Sequence, residues 1–367
     1  MITLLAMIAC DDRRESTTPP LSTPSGDAAC DVPGSVCRWL GVPGVALFSG
    51  EGTDRSERFA TATDPGGTFL FLPVDITFAA DGTAYYPDYN NHRVRRVGID
   101  DIVTTVSGLG MIGDGPNLPP GSPADCWDGC PALESLWNHP ADVGISATDP
   151  SLLWVAEEDN GRVNVIDVRP DVMFWWADGL AKPSAVAVAD DGTVYVSEPG
   201  RANAPGSAHV RRIKADGVAE IIAGEPDVAM PRGLALDGDI LWIADGGGAI
   251  RWIDVAAAAC VSDASACVVG DLFDSGEFGA PNDVAVGLQG EVYVTDVLDD
   301  CVRVFRSAGS SATLDVFAGR CGASGFGGDG GPATDALFDF PAGVAVDPAG
   351  NVYVADSSNH VIRRIIP

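Results

Sequence analysis

The chain has 367 residues, of which 46% are hydrophobic, so it is long and apolar enough to bury a large core. Its 52 acidic and 22 basic residues give a formal net charge of −30, which repels nucleic-acid phosphates and anionic membrane surfaces. We therefore expect no nucleic-acid partner. The acidic excess leaves two readings open, cation binding and simple solubility.

The first 29 residues differ in composition from the rest of the chain. A short apolar run leads to Cys10, and residues 7–10 resemble a bacterial lipobox. We interpret residues 1–10 as a truncated signal segment that ends in a lipidated Cys10; an ordinary secreted or unprocessed N terminus is the alternative. Residues 11–29 are rich in Ser, Thr and Pro, which predicts a disordered tether. The expected location is the cell envelope, with membrane contact through a lipid anchor alone.

The remaining cysteines fall into near-neighbour pairs. Zinc sites usually have tighter Cys pairs with histidines nearby, so we predict disulfides formed in an oxidising compartment. The predicted pairs are Cys30–Cys37, Cys126–Cys130, Cys260–Cys267 and Cys301–Cys321. The last pair would bracket a hairpin that turns near Gly309.

Residues 30–367 contain six repeats, each opened by a proline. Every repeat has three short runs of β-branched and small residues separated by turns, and a fourth run follows five of the six. The repeat cores are 73–97, 140–168, 183–213, 231–255, 281–305 and 341–365, and the fourth runs are 102–107, 172–176, 218–223, 268–270 and 314–318. Repeated four-stranded units without helices predict an all-β fold, a six-bladed β-propeller with four antiparallel strands per blade.

The last repeat lacks a fourth strand after it, because the chain ends at Pro367. Residues 44–50 are similar to residues 315–319 of a fourth strand. We therefore predict that an N-terminal strand, formed by residues 44–50, closes the ring on the last blade. Such closure hides the strand edges that an open array would expose.

Residues 343–347 and 359–365 together resemble an NHL repeat, the family named for its Asn-His-Leu core. The linker at residues 328–334 is similar to linkers of bacterial NHL proteins, and the pattern extends over most of residues 44–367. The resemblance implies a propeller of the exported or lipoprotein type. It implies no single activity, because function resides in sites rather than in folds.

An acidic residue and a basic residue recur at fixed places in the repeats. The acids lie in the turn after the second strand, where a carboxylate can accept backbone N–H groups. A matching arginine lies in the third strand of five repeats, with Asn164 in the other. We expect them to be structural. The acids are Asp88, Glu157, Glu198, Asp245, Asp296 and Asp356, and the arginines are Arg95, Arg211, Arg251, Arg303 and Arg363.

Three repeats depart from the pattern two residues after the opening proline. Two other repeats have Gly233 and Gly343 there, whereas these three have aspartates. The innermost strands of a propeller converge, so the three carboxylates could face one channel mouth and bind Ca²⁺ or another divalent cation. The alternative is that each carboxylate caps local backbone. The aspartates are Asp75, Asp142 and Asp283.

Residues 281–283 also resemble an element of the gluconolactonase-like hydrolases, in which the residue after the proline ligates the catalytic metal. Asn282 fits this resemblance, whereas Arg232 places a cation at the equivalent position of another repeat. The candidate metal set is therefore Asp75, Asp142, Asn282 and Asp283. We otherwise expect no cofactor, and the four histidines lack the spacing of a zinc site.

An insertion, residues 117–130, interrupts the linker between the first two repeats. It carries Trp127 between Cys126 and Cys130, and Trp137 follows closely. Rigid aromatic side chains anchor interfaces at low entropic cost, so Trp127 and Trp137 are candidates for a ligand-binding face. The alternative is a packed lid over the first blade.

These features favour a non-catalytic, monomeric cell-envelope protein that presents one propeller face to a protein or glycan. The alternative is a metal-dependent hydrolase or lyase of the gluconolactonase-like type, with its cation at the channel mouth.

Overall fold

The computed structural model describes residues 32–41, 70–99, 103–113, 115–116, 126–200, 204, 206–215, 217–273, 276–308 and 311–367. The predicted signal segment and tether, with Cys10 and Cys30, lie outside these residues. So do residues 44–50.

The strands form six antiparallel sheets arranged as blades, as the repeats predict. A single strand, β1 (Val36–Gly41), precedes blade 1, and three two-residue strands lie in the linker between blades 1 and 2. Blade 1 has β2 (Thr77–Phe78), β3 (Ala84–Asp88), β4 (Arg93–Val97) and β5 (Val103–Ser107), and the linker has β6 (Gly115–Pro116), β7 (Cys130–Pro131) and β8 (Ser135–Leu136). Blade 2 has β9 (Pro140–Ile145), β10 (Leu152–Glu157), β11 (Arg162–Asp167) and β12 (Val172–Ala177).

The other four blades repeat this order from the channel outward. Blade 3 has β13 (Ala185–Val188), β14 (Val194–Glu198), β15 (His209–Ile213) and β16 (Ala219–Gly224), and blade 4 has β17 (Pro231–Asp237), β18 (Ile240–Asp245), β19 (Ala249–Asp254) and β20 (Val269–Phe273). Blade 5 has β21 (Pro281–Val286), β22 (Val292–Asp296), β23 (Cys301–Ala308) and β24 (Ser311–Ala318), and blade 6 has β25 (Pro341–Val346), β26 (Val352–Asp356) and β27 (Val361–Ile365).

Helical structure in the described ranges is confined to short segments. The α-helix α1 spans Ala258–Ser262, and the 3₁₀ turns are Tyr89–Asn91, Ala132–Glu134, Ala264–Ala266, Ala333–Asp335 and Ser357–Asn359. No helix in the described residues is long and apolar enough to cross a membrane.

The ring is closed by an N-terminal strand, as predicted, but not by residues 44–50. Strand β1 pairs antiparallel with β27, with Val36 opposite Ile365 and Gly41 opposite Val361. Val36 and Leu40 point into the core and are fully buried. The predicted segment was wrong because a short motif similarity cannot distinguish two neighbouring apolar runs, whereas the pairing register can.

The recurring acids and arginines are structural, as predicted. The six acids are almost fully buried, and each accepts a backbone N–H from the segment that leads into the innermost strand of its blade, as Asp245 does from Met230 at 2.7 Å. Arg95 and Asp88 pair at 2.7 Å, and Arg251 and Asp245 at 2.8 Å. Each blade thus ties its turn, its third strand and its entry segment to one carboxylate.

Three of the predicted disulfides are present. They join Cys126 to Cys130, Cys260 to Cys267 and Cys301 to Cys321, with Cα–Cα distances of 5.2, 4.1 and 5.0 Å. The third connects the start of β23 to the segment after β24, across the predicted hairpin. Cys37 is also disulfide-bonded, and its predicted partner Cys30 lies outside the described residues.

Candidate functional site

The six innermost strands surround a central channel. Strands β2, β9, β13, β17, β21 and β25 each contribute lining residues to a cavity of about 260 Å³. Because every innermost strand runs in the same direction, one end of the channel meets the first residues of these strands. We call this end, together with the turns between second and third strands, the upper face.

The structure brings the three predicted aspartates together at the upper end of this channel. Asp75, Asp142 and Asp283 all line the cavity, and the carboxyl group of Asp75 is within hydrogen-bonding reach of both of the others. Asp142 Oδ2 accepts the backbone N–H of Val186 at 2.6 Å, and Asp283 Oδ2 accepts that of Val344 at 2.8 Å. Two of these channel carboxylates therefore also bind the backbone of the following blade.

The neighbouring glycines make room for these aspartates. A Cβ on Gly233 would lie 2.5 Å from the Cα of Asp283, and a Cβ on Gly343 would lie 2.6 Å from the Cα of Asp75. Both distances are far below van der Waals contact. The glycines of blades 4 and 6 thus leave room for the aspartates of blades 5 and 1, whereas Asp142 of blade 2 has no glycine at this position in either neighbouring blade.

Burial is the main influence on the channel carboxylates. Burial raises the pKa of Asp75 well above its ordinary value, with the nearby charge of Asp142 adding to the effect, and it raises the pKa of Asp142. Burial also raises the pKa of Asp283 to about 8. A hydrogen bond between two carboxyl groups requires a proton on one of them, so this geometry suits a proton-sharing cluster at neutral pH.

Binding of a divalent cation by these aspartates and Asn282 remains a prediction. Among the described residues, no group of three or more His, Cys, Asp or Glu side chains has an arrangement that could hold a metal ion. Asn282 lies outside the channel lining, and its Nδ2 donates to the carbonyl of Ala342 at 2.8 Å. The amide of Asn282 is thus engaged between blades 5 and 6.

A second polar group on the upper face was not predicted. It comprises Tyr89, His92, His139, Glu158, Asp159 and Lys182, from blades 1 to 3, and we call it the mouth cluster. Tyr89 donates to Glu158 Oε2 at 2.6 Å, and Lys182 Nζ donates to Glu158 Oε1 at 3.0 Å and to Asp159 Oδ1 at 2.7 Å. His139 Nδ1 lies 2.7 Å from Asp159 Oδ2. The two carboxylates therefore link three blades.

The histidines of blades 1 and 2 also meet here, although their spacing in the sequence is not that of a zinc site. The rings of His92 and His139 are 4.9 Å apart, and Tyr89 stacks on His139 at 4.5 Å. The backbone N–H of His139 donates to His92 Nδ1 at 3.4 Å. This side of the mouth therefore presents a small aromatic surface beside the carboxylates.

The environment fixes the protonation of several of these groups. Burial and the Glu158 carboxylate raise the pKa of Tyr89, so its hydroxyl remains a donor. Burial lowers the pKa of His92 to about 4, which keeps that imidazole neutral. Burial raises the pKa of Asp159 and lowers that of Lys182, but the surrounding hydrogen bonds and opposite charges together outweigh burial, so the pKa of Asp159 is lowered and that of Lys182 is raised. Asp159 and Lys182 are consequently both charged at neutral pH.

An unusual backbone conformation places two of these side chains. His139 and Lys182 immediately precede an opening proline and have φ values of 58° and 62°, in the left-handed region. Leu72 and Phe340, at the same position in other repeats, share it. Such conformations are uncommon for residues other than glycine and cluster at functional sites. The sequence could have indicated these two residues: if the repeats are aligned by their opening prolines, the residue before each proline falls at the upper face.

The described part of the insertion, residues 126–130, lies at the outer edge of blade 2 rather than at the channel mouth. Strand β7 pairs with the outer strand β12, and the backbone N–H of Trp175 donates to the Cys126 carbonyl at 3.1 Å. Trp127 is 48% exposed and meets the Trp175 ring edge-on at 5.7 Å. Trp127 therefore remains a candidate contact residue, on the rim of the propeller.

Trp137 was wrongly assigned to a ligand-binding face. Its side chain is 0% exposed and packs in the core between blades 1 and 2. Its indole Nε1 donates to Ser107 Oγ at 3.0 Å, which satisfies its polar atom. A buried and satisfied indole stabilises the linker instead of contacting a ligand.

The fold and the repeat together define the class of protein. It is a six-bladed β-propeller, and residues 338–365 match the NHL repeat family. The matched residues include the three C-terminal strands of the last blade, β25 to β27.

Comparison with known proteins places this propeller among diverse relatives. It is 24% identical over 296 residues to Teneurin-m of Drosophila melanogaster, an alignment that covers 78% of this chain but 10% of that protein. An auxiliary nutrient binding protein from Bacteroides thetaiotaomicron shares 15% identity at a TM-score of 0.62, with 90% of this chain and 75% of that chain covered. A putative gluconolactonase shares 14% identity at a TM-score of 0.55, with coverages of 84% and 91%. These similarities to solved structures concern the fold.

Proposed function

We propose that this protein is a non-catalytic binding propeller of the cell envelope that presents its upper face to a protein or glycan ligand. The observation that carries the proposal is the mouth cluster, in which Glu158 and Asp159 are each held by two neighbours. A preorganised set of donors and acceptors binds a ligand at low entropic cost.

The same contacts argue for binding rather than proton abstraction. Hydrogen bonds from Lys182 and His139 lower the pKa of Asp159, and a carboxylate with a lowered pKa is a weak base. It is a good hydrogen-bond acceptor for hydroxyl or ammonium groups.

An extracytoplasmic location supports this reading. Three disulfides are typical of oxidising compartments. The auxiliary nutrient binding protein with a similar fold offers a precedent for ligand binding by such a propeller. A lipid anchor on Cys10 and a monomeric state are parts of the proposal.

The test compares two lysine variants of the full chain against a panel of defined envelope polysaccharides and peptides by biolayer interferometry. Lys182→Met removes the cation of the mouth cluster, and Lys214→Met removes an exposed lysine that pairs with Glu220 away from the mouth. We expect a ligand whose affinity falls about tenfold or more in Lys182→Met, because charged hydrogen bonds are worth roughly 1.5–3 kcal/mol. Equal effects of the two substitutions on every ligand would contradict the proposal.

The convergence of the channel carboxylates favours a second candidate, the metal-dependent hydrolase or lyase. Its test is the metal content of the full chain before and after chelation, with lactone hydrolysis as the activity assay. One bound divalent ion per chain that is lost from a variant with alanine at Asp75, Asp142 and Asp283 would support it. A metal-free protein without lactone hydrolysis would reject it.

A further inference from the structure

Arg232 differs in kind from the residues at the same position of the other blades. It is the second residue of β17, directly after the opening proline, and it lies at the upper face. The equivalent residues in the other five blades carry no charge; they are Val74, Ala141, Ser184, Asn282 and Ala342. Blade 4 thus places one guanidinium beside the channel mouth.

The side chain of Arg232 lies along a turn that offers it no acid. A Cβ on Gly246 would be 3.2 Å from Arg232 Nε and 3.3 Å from its Cδ, and the turn continues with two more glycines. Arg232 Nη2 is 3.7 Å from the sulfur of Met230. A thioether is a weak acceptor and supplies no negative charge.

The nearest carboxylates are already engaged. Asp245, the buried acid of blade 4, pairs with Arg251 at 2.8 Å. Glu158 is close enough for its charge to act on Arg232, but its two oxygens accept from Tyr89 and Lys182. Within the part of the chain that the structure describes, Arg232 therefore has no ion-pair partner, whereas third-strand arginines such as Arg95 and Arg251 do.

A cation without a counter-ion is costly when it is removed from water. Arg232 is partly buried, and burial lowers its pKa although the nearby charge of Glu158 acts in the opposite direction. Its planar fork of N–H donors matches a carboxylate in a bidentate geometry, and a ligand carboxylate would restore the missing counter-charge.

From this geometry we infer that the upper face binds an acidic saccharide, with the sugar carboxylate on Arg232 and the sugar hydroxyls on Asp159, Lys182 and His139 of the mouth cluster. The inference rests on the proposed binding function and names its ligand class. The partly exposed groups of the cluster supply both donors and acceptors, as neighbouring hydroxyls require. The net charge of −30 disfavours densely charged polyanions, so the expected ligand carries isolated carboxylates on a largely neutral glycan.

The test uses D-glucuronate and D-glucose, which differ at one carbon, with ligand-observed NMR on the full chain. We expect D-glucuronate to bind at least fivefold more tightly than D-glucose. Arg232→Gln removes this preference, and Arg232→Lys restores it in part because it keeps the charge without the fork. The matched control is Arg306→Gln, an exposed arginine that pairs with Asp315 on the outer hairpin of blade 5, and it leaves the preference unchanged.

Three outcomes would overturn the inference. They are equal binding of the two sugars, a preference that survives in Arg232→Gln, and inorganic phosphate that binds as tightly as D-glucuronate with the same dependence on Arg232. The third outcome would make the site a general oxyanion site. If Arg232→Gln retains a ligand that Lys182→Met loses in the polysaccharide panel, the proposed binding function stands and the acidic-saccharide inference fails.

Discussion

At the scale of single residues, one buried carboxylate organises several parts of each blade. Asp88 accepts the backbone N–H of Phe71 at 3.2 Å, the Asn91 amide at 2.9 Å and Arg95 Nε at 2.7 Å. Both members of the Asp88–Arg95 pair are fully buried. Loss of such an acid removes the one carboxylate that these three groups share, and it removes the counter-charge of a buried arginine in a dry environment.

Asp88→Ala should therefore lower the free energy of unfolding by roughly 3–5 kcal/mol, measured by urea denaturation. The matched control is Asp315→Ala, which breaks a pair with Arg306 at 3.7 Å in which both side chains are about half exposed. We expect the control to lose at most about 1 kcal/mol of unfolding free energy. Similar losses in both variants would show that the buried network is not what stabilises the turn.

The channel carboxylates predict a pH dependence of stability. The folded-state pKa of Asp283 is about 8, above the value of about 4 in an unfolded chain. The folded state thus holds a proton that the unfolded state releases. The stabilisation that comes from protonated Asp283 is fully present below about pH 4 and is lost as the pH rises through about 8.

Asp283→Asn imitates the protonated carboxyl group, so the difference in unfolding free energy between wild type and variant should fall as the pH rises from about 4 to about 8. Urea titrations at several pH values measure this difference. The pH effects of groups that wild type and variant share cancel in it. A difference that grows with pH would contradict proton sharing. So would destabilisation of the wild type by a chelator at pH 8, which would indicate a bound cation.

At the scale of elements, the closing strand β1 completes the last blade. Leu40 is fully buried in a cluster with Tyr353 and Ile362, among others, so the strand contributes side-chain packing as well as hydrogen bonds. Without it, β27 would be an exposed strand edge, which favours aggregation.

Leu40→Ala should cost roughly 2–5 kcal/mol of unfolding free energy, since it removes buried methyl groups and leaves a cavity. Val316→Ala on the outer strand β24 serves as the control, because Val316 is 41% exposed and its truncation should cost about 0.5 kcal/mol or less. Urea denaturation measures both. Equal stabilities of the two variants would mean that β1 is not an integral part of the ring.

The sequence predicted most strands, and its errors have physical causes. The predicted fourth strand 172–176 is observed as Val172–Ala177, whereas 268–270 extends to Val269–Phe273. Hydrophobic runs mark only the buried part of a strand, and Asp271 interrupts the apolar pattern although its backbone still pairs with Arg251. Pairing partners, unlike apolar runs, are set by the tertiary structure.

Part of the candidate site was also predictable. The three aspartates were recognised because they break a repeat position that lies at the channel mouth. The mouth cluster was not, because residues such as Tyr89, His139 and Lys182 are far apart in the sequence and each resembles an ordinary repeat residue. Their hydrogen bonds depend on how blades 1 to 3 are placed around the channel, which a single repeat does not encode.

At the scale of the whole molecule, six repeats produce a ring of blades whose upper face is asymmetric. Blades 1 to 3 contribute the mouth cluster, and blade 4 contributes Arg232. A repeat array can thus keep its stabilising residues constant while a few positions per blade specialise for binding.

The most direct test of this account is hydrogen–deuterium exchange of the full chain with and without its strongest saccharide ligand. We expect ligand-dependent protection in the segments around Tyr89–Asn91, residues 158–161 and residues 230–232, on the upper face. Protection confined to the outer loop at residues 126–131, or to the opposite end of the channel, would contradict it.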